Sequence, residues 1–98
     1  MNKRQAKKKR NKSIYRDTWN LDAAIAKFVL PRLIRFREVH NGHPCQLTSE
    51  EWDEKIDKMI DAFTLIVTKD LWCINNDEQK RIDDGLDTFR EYYFHLWW

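Results

Sequence analysis

An all-α fold, an antiparallel three-helix bundle, is what this sequence predicts, and three observations carry the prediction. Only two glycines and two prolines punctuate 98 residues, too few for the frequent turns of a many-stranded sheet. Three stretches repeat apolar residues at spacings of three and four, the mark of amphipathic helices. Five Trp, five Phe and three Tyr supply a large aromatic surface, and a chain of this length buries it in one modest core.

The bundle is expected to occupy 17–98, after a basic tail over 1–16. That tail, MNKRQAKKKRNKSIYR, holds eight Lys and Arg and no acid. Removing those eight from 18 basic residues leaves ten against all 16 acids, so the tail is +8 and the body about −6. With almost no apolar side chain to offset the entropy of ordering, the tail in isolation is expected to be disordered. Its cations Lys3, Arg4, Lys7, Lys8, Lys9, Arg10, Lys12 and Arg16 are the nucleic-acid candidates, since a flexible cationic arm binds phosphate backbones with a steep salt dependence.

Helix one is expected over Leu21 to His40, with Asn20 as its cap, Asp22 at the positive dipole end and Trp19 packed ahead of the cap. The stretch HNGHP ends it, because Asn41 and Gly42 tolerate left-handed backbone and Pro44 forbids continuation. In LTSEEW, Thr48 and Glu51 form a reciprocal capping box, flanked by Leu47 and Trp52 as a hydrophobic staple. Trp52, Ile56, Met59, Ile60, Phe63, Ile66 and Val67 then repeat on one face, carrying helix two at least to Val67. The segment TKDLWCINNDEQ reads either as one more turn or as a loop anchored by Leu71 and Trp72. Asn75 and Glu78 make a second, weaker box opening helix three, whose face carries Ile82, Leu86, Phe89, Tyr93, Leu96 and Trp97.

Helix one stands apart from the other two. At about 100° per residue, Leu21, Ile25, Val29, Leu33 and Phe36 share a broad face, while Leu30, Pro31 and Ile34 cover much of the rest. A helix apolar nearly all round is normally buried on more than one side. With two partners inside the monomer, its remaining side points to another copy, which makes Leu30, Pro31 and Ile34 interface candidates. Pro31 is expected to kink or break the helix, at about 3 kcal/mol for an interior position. Arg32 projects between Leu21 and Ile25 and is read as pointing inward. A guanidinium there needs an acidic or anionic partner, supplied by Asp22, Asp53, Asp57, Asp61 or Asp87, by another subunit or by a ligand. Arg32, Arg35 and Lys27 are thus the ligand candidates, although Arg35 and Arg37 also read as solvated.

Other chemistry is thinner. HNGHPC gathers His40, His43 and Cys45, but structural zinc takes four ligands at recognisable spacing, so no metal is expected. Asp53 and Asp57, beside Lys55 and Lys58, read as a solvated face with pairing one turn apart. No glycine-rich phosphate loop, H-E-x-x-H or G-x-S-x-G is present in the sequence, and neither an enzyme nor a cofactor is expected. The closing YYFHLWW leaves Tyr92, Phe94 and Trp98 over once the bundle face is assigned, and these are further interface candidates. Cys45 and Cys73 form no C-x-x-C pair, and no signal peptide or apolar run of membrane-spanning length is visible. The reading is a soluble protein of the cytosol with reduced thiols.

The strings WNLDAAIAKFVLPRLIRFRE, LTSEEWDEKIDKMIDAF and GLDTFREYYFHLWW resemble a group of small uncharacterised proteins of tailed bacteriophages. The resemblance covers about Trp19 to Phe63 and the closing helix, leaving out the basic tail and residues 64–80. It implies a small cytoplasmic protein of the infected bacterium and carries no established activity. The expectation is therefore a non-enzymatic, homo-oligomeric binder that blocks or sequesters a host protein or an anionic small ligand, such as a nucleotide signal. Nucleic-acid binding through the arm and a structural or assembly role are the alternatives.

Overall fold

A computed structural model of the protein describes residues 14–69 and 72–97, and all regular structure among them is helical. Three long helices carry the fold: α1 (Leu21–Val39), α2 (Ser49–Thr68) and α3 (Asn76–Glu91), followed by a 3-10 turn at Tyr93–His95. Residues 14–19 are helical as well, with Thr18 Oγ1 donating to the Ile14 carbonyl at 2.7 Å. Helix thus begins inside the stretch assigned to the disordered tail, and only the remainder of that assignment, 1–13, lies outside the described residues.

The two capping boxes form as the sequence dictates. Thr48 Oγ1 accepts from the Glu51 amide at 3.1 Å while Thr48 N donates to Glu51 Oε1 at 3.0 Å. Asn75 Oδ1 accepts from the Glu78 amide at 2.8 Å and Asn75 N donates to Glu78 Oε1. Each box satisfies amides that the first helical turn leaves free. The bonds also hold both glutamates below the ordinary carboxylate range, chiefly through the Thr48 and Asn75 backbone donors.

The start of α1 departs from expectation. Asn20 makes no side-chain cap; its carbonyl accepts from Ala24 N, and Asp22 Oδ1 takes the Ala23 amide at 2.8 Å. The helix over 14–19 leads straight into α1 through this one residue, so Asn20 lies at a junction between two helical segments, and Trp19 is exposed rather than packed. Pro31 lies within an unbroken α1. The ambiguous segment resolves at its described positions: α2 ends at Thr68, and 72–75 are non-helical, with Trp72 exposed. Leu71, its other expected anchor, lies outside the described residues.

Helix α2 is the centre of the assembly, packing against α1 on one side and α3 on the other. It contributes Trp52, Ile56, Met59 and Phe63 to a core completed by Ala26 and Leu33 of α1 and by Tyr92. Aromatic edges lock it: Trp52 meets Phe36 at 6.3 Å and Tyr92 at 5.5 Å, and Phe63 meets Phe89 at 5.2 Å, all tilted well away from parallel. Gly85 of α3 sits against Ala62 and the Lys58 carbonyl of α2, which brings those two helices into close backbone approach. No helix among the described residues is long and apolar enough to cross a membrane.

Two packing expectations change. Tyr92, read as an interface residue, is 7 % exposed and belongs to the core, because α3 ends at Glu91 and the chain turns its ring back onto Trp52. Tyr93 and Trp97, assigned to the core as a continuation of α3, are exposed, since the 3-10 turn breaks the α-helical periodicity that placed them inward.

Candidate functional site: a cleft between α1 and the C-terminal segment

Helices α1 and α3 each pack on α2, but no comparable contact joins them to each other. The gap between them is a cleft. Its apolar wall is Phe28, Val29, Leu33 and Phe36 of α1, facing Phe89 of α3 and Leu96 beyond it, with Arg32 at the edge. This part has a volume of about 220 Å³. It continues into a wider space of about 490 Å³ bounded by Arg32, Arg35, Phe36, Val39, Leu96 and Trp97.

The position of Arg32 corrects the inward reading. The buried stripe of α1 centres on Ala26 and Leu33, about 100° round the helix from Arg32, so the apolar face seen in the sequence is wider than the part that packs. Arg32 is exposed. Its guanidinium lies 3.6 Å from the centroid of the Phe28 ring, and Nη1 donates to the Phe28 carbonyl at 2.8 Å. The ring face and the carbonyl draw the cation back along its own helix. No carboxylate among the described residues pairs with it. Arg35 is exposed and paired with Glu38 at 3.0 Å, and Lys27 is exposed on α1.

Three of the acids proposed as partners for Arg32, namely Asp53, Asp57 and Asp61, are engaged elsewhere. Arg37 of α1, expected to be solvated, reaches Asp53 at 3.3 Å and Asp57 at 3.0 Å on α2. His40 Nε2 lies 2.6 Å from Asp53 Oδ1, while its Nδ1 faces the Gly42 carbonyl at 3.1 Å. The hydrogen bond to Asp57 raises the Arg37 pKa above its ordinary value. Asp53 and Asp57 are therefore the acceptors of a clamp between the end of α1 and the start of α2, not a free solvated face. Asp61 is held by Arg81 of α3 through two hydrogen bonds. Sequence spacing shows none of these contacts, which join residues on different helices.

Of the interface candidates, Pro31, Ile34 and Phe94 are exposed, and Leu30 is half-buried against the core. Trp98 lies outside the described residues, as do Lys3, Arg4, Lys7, Lys8, Lys9, Arg10 and Lys12, while Arg16 is exposed in the helical lead-in. A second depression of about 320 Å³, lined by Asn41, Gly42, His43, Pro44, His95 and Trp97, adjoins the cleft at Trp97. An apolar floor with guanidinium groups at one edge suits an occupant that has both an apolar body and an anionic group.

No protein-family model matches the chain, and no curated protein or solved structure matches it either.

Proposed function

We propose that this is a non-enzymatic, phage-type binding protein, acting as a homo-oligomer in the cytoplasm of an infected bacterium to block or sequester a host component. The component is a defence protein or an anionic small ligand such as a nucleotide signal, held without a cofactor. The scaffold in this reading is an antiparallel three-helix bundle whose first helix bends at Pro31, keeping the α1 face of the cleft open. The observation that carries the reading is the apolar cleft edged by Arg32, a cation with no carboxylate partner among the described residues. A planar guanidinium beside an aromatic wall is suited to a phosphate or carboxylate attached to an apolar or aromatic group.

Native mass spectrometry of protein purified from expressing bacteria tests this. The expected result is a co-purified anion or host protein that is lost in the Arg32→Ala, Arg35→Ala variant. Recovery of nothing in excess of a control purification overturns it.

The charge asymmetry of the sequence favours a second reading, nucleic-acid binding through the arm. Deleting 1–16 is then expected to abolish RNA or DNA binding and its steep salt dependence, and survival of binding with an unchanged salt slope removes that reading.

A further inference from the structure

We infer that two copies of the chain pair antiparallel along the exposed stripe of α1, so that Arg32 of each copy meets Asp22 of the other. This rests on the homo-oligomeric reading above and names the surface that makes it.

Leu21, Ile25, Phe28, Arg32 and Arg35 follow one another at spacings of four, three, four and three, and fall within an arc of about 80° on the helix. That is the spacing of a helix–helix seam. The monomer does not use it: Leu21, Ile25 and Phe28 are 51 %, 50 % and 60 % exposed, while the side of α1 that packs on α2 fully buries Ala26 and Leu33. Apolar side chains of this size, left half in water in register along a helix, mark a contact surface.

Charge selects the occupant and its direction. A parallel pair stacks Arg32 on Arg32 and Arg35 on Arg35, and like charges at a seam repel. An antiparallel pair with Ile25 opposite Phe28 carries Arg32 to the other copy's Leu21, where Asp22, about 100° round the helix from Leu21, flanks the seam within reach of a long side chain. Asp22 is exposed and, like Arg32, has no ion-pair partner among the described residues. Twofold symmetry makes the contact twice. A guanidinium carries five N–H donors, so Arg32 can meet Asp22 and still present donors to the cleft, while Arg35 lies beyond the overlapped span and stays at its wider end. One helix face is small beside a standard interface, so the association is expected to depend on concentration.

Sedimentation equilibrium of the full chain, from about 1 to about 300 μM, is the test. Wild type is expected to pass from monomer to dimer over that range. Asp22→Arg and Arg32→Asp are each expected to weaken the dimer about tenfold or more, and the double variant to recover most of that loss. Far-UV circular dichroism of each variant shows whether its helices are intact. A wild type that is monomeric throughout overturns the inference, as does a dimer that neither single substitution weakens or that the double variant fails to restore. A monomer that still carries a captured anion or host protein removes only the pairing. A charge-dependent dimer that carries nothing removes only the capture.

Discussion

A β-carbon built on Gly85 would lie 2.3 Å from the β-carbon of Ala62 and 2.5 Å from the Lys58 carbonyl oxygen. The residue is buried in the middle of α3, where glycine costs about 1 kcal/mol relative to alanine by helix propensity alone. Propensity therefore predicts that Gly85→Ala stabilises, and packing predicts the reverse. Packing wins, because neither atom in the way, the Ala62 β-carbon nor the Lys58 backbone carbonyl oxygen, can rotate aside. Gly85→Ala is expected to lower stability by about 1–3 kcal/mol, read as a lower urea midpoint with an unchanged slope. A raised midpoint would show that α2 and α3 separate at little cost.

The clamp of Arg37 and His40 on Asp53 fixes the end of α1 against α2. His40 is largely buried, its side chain 9 % exposed, so Asp53→Ala leaves a sheltered ring nitrogen without its acceptor. The expected cost is about 1–2 kcal/mol. Arg37→Ala, at a more exposed pair, is expected to cost well under 1 kcal/mol. Equal effects from the two substitutions in chemical denaturation would refute this ranking.

Acid should weaken the fold in a defined direction. The Arg81 hydrogen bonds hold the Asp61 pKa below its ordinary value, and the capping-box donors do the same for Glu51 and Glu78. A carboxylate lowered in the folded state adds stability that is fully present above its unfolded value, near pH 4, and is lost as pH falls through the folded value. The urea midpoint is thus expected to stay level from pH 7 to about pH 5 and to fall below that. Arg81→Ala should flatten part of the fall by returning Asp61 toward its ordinary value. An Arg81→Ala profile parallel to wild type down to pH 3 would show that this pair does not contribute.

How much of this was legible depends on the range of the interaction. The Thr48–Glu51 and Asn75–Glu78 boxes could be read directly, because both partners lie within one turn of sequence. So could the core line Trp52, Ile56, Met59 and Phe63, set by helical period alone. The direction of Arg32 could not: a wheel gives its angle relative to Leu21 and Ile25, but which part of a wide apolar arc packs is decided by α2. Gly85 was invisible for the same reason, since its role is the nearness of Ala62 and Lys58 on another helix. Tyr92 reaches the core because the α-helical period stops at Glu91, where the chain leaves the α-helix. The cleft itself follows from α1 and α3 sharing α2 without packing on each other, a tertiary choice that no local pattern encodes.

Pro31 offers the sharpest test of what α1 is shaped to do. The residue is exposed, and the helix continues through it from Leu21 to Val39. Proline at an interior position withholds an amide from the carbonyl four residues back, here that of Lys27, and presses its ring on that carbonyl, at about 3 kcal/mol. Pro31→Ala removes both effects without deleting a core side chain. If α1 packs equally well when straight, the variant gains stability, by about 1 kcal/mol or more. The groups that close the cleft from α1, Phe28 before Pro31 and Arg32 and Phe36 after it, are however positioned relative to one another through this residue. The expected outcome is therefore a split: a higher urea midpoint for Pro31→Ala, with weaker capture of whatever anion or host protein wild type retains in native mass spectrometry. A variant that is both less stable and unable to bind would show that the proline's geometry is required by the core itself. One that is more stable and binds unchanged would remove Pro31 from the account of the cleft.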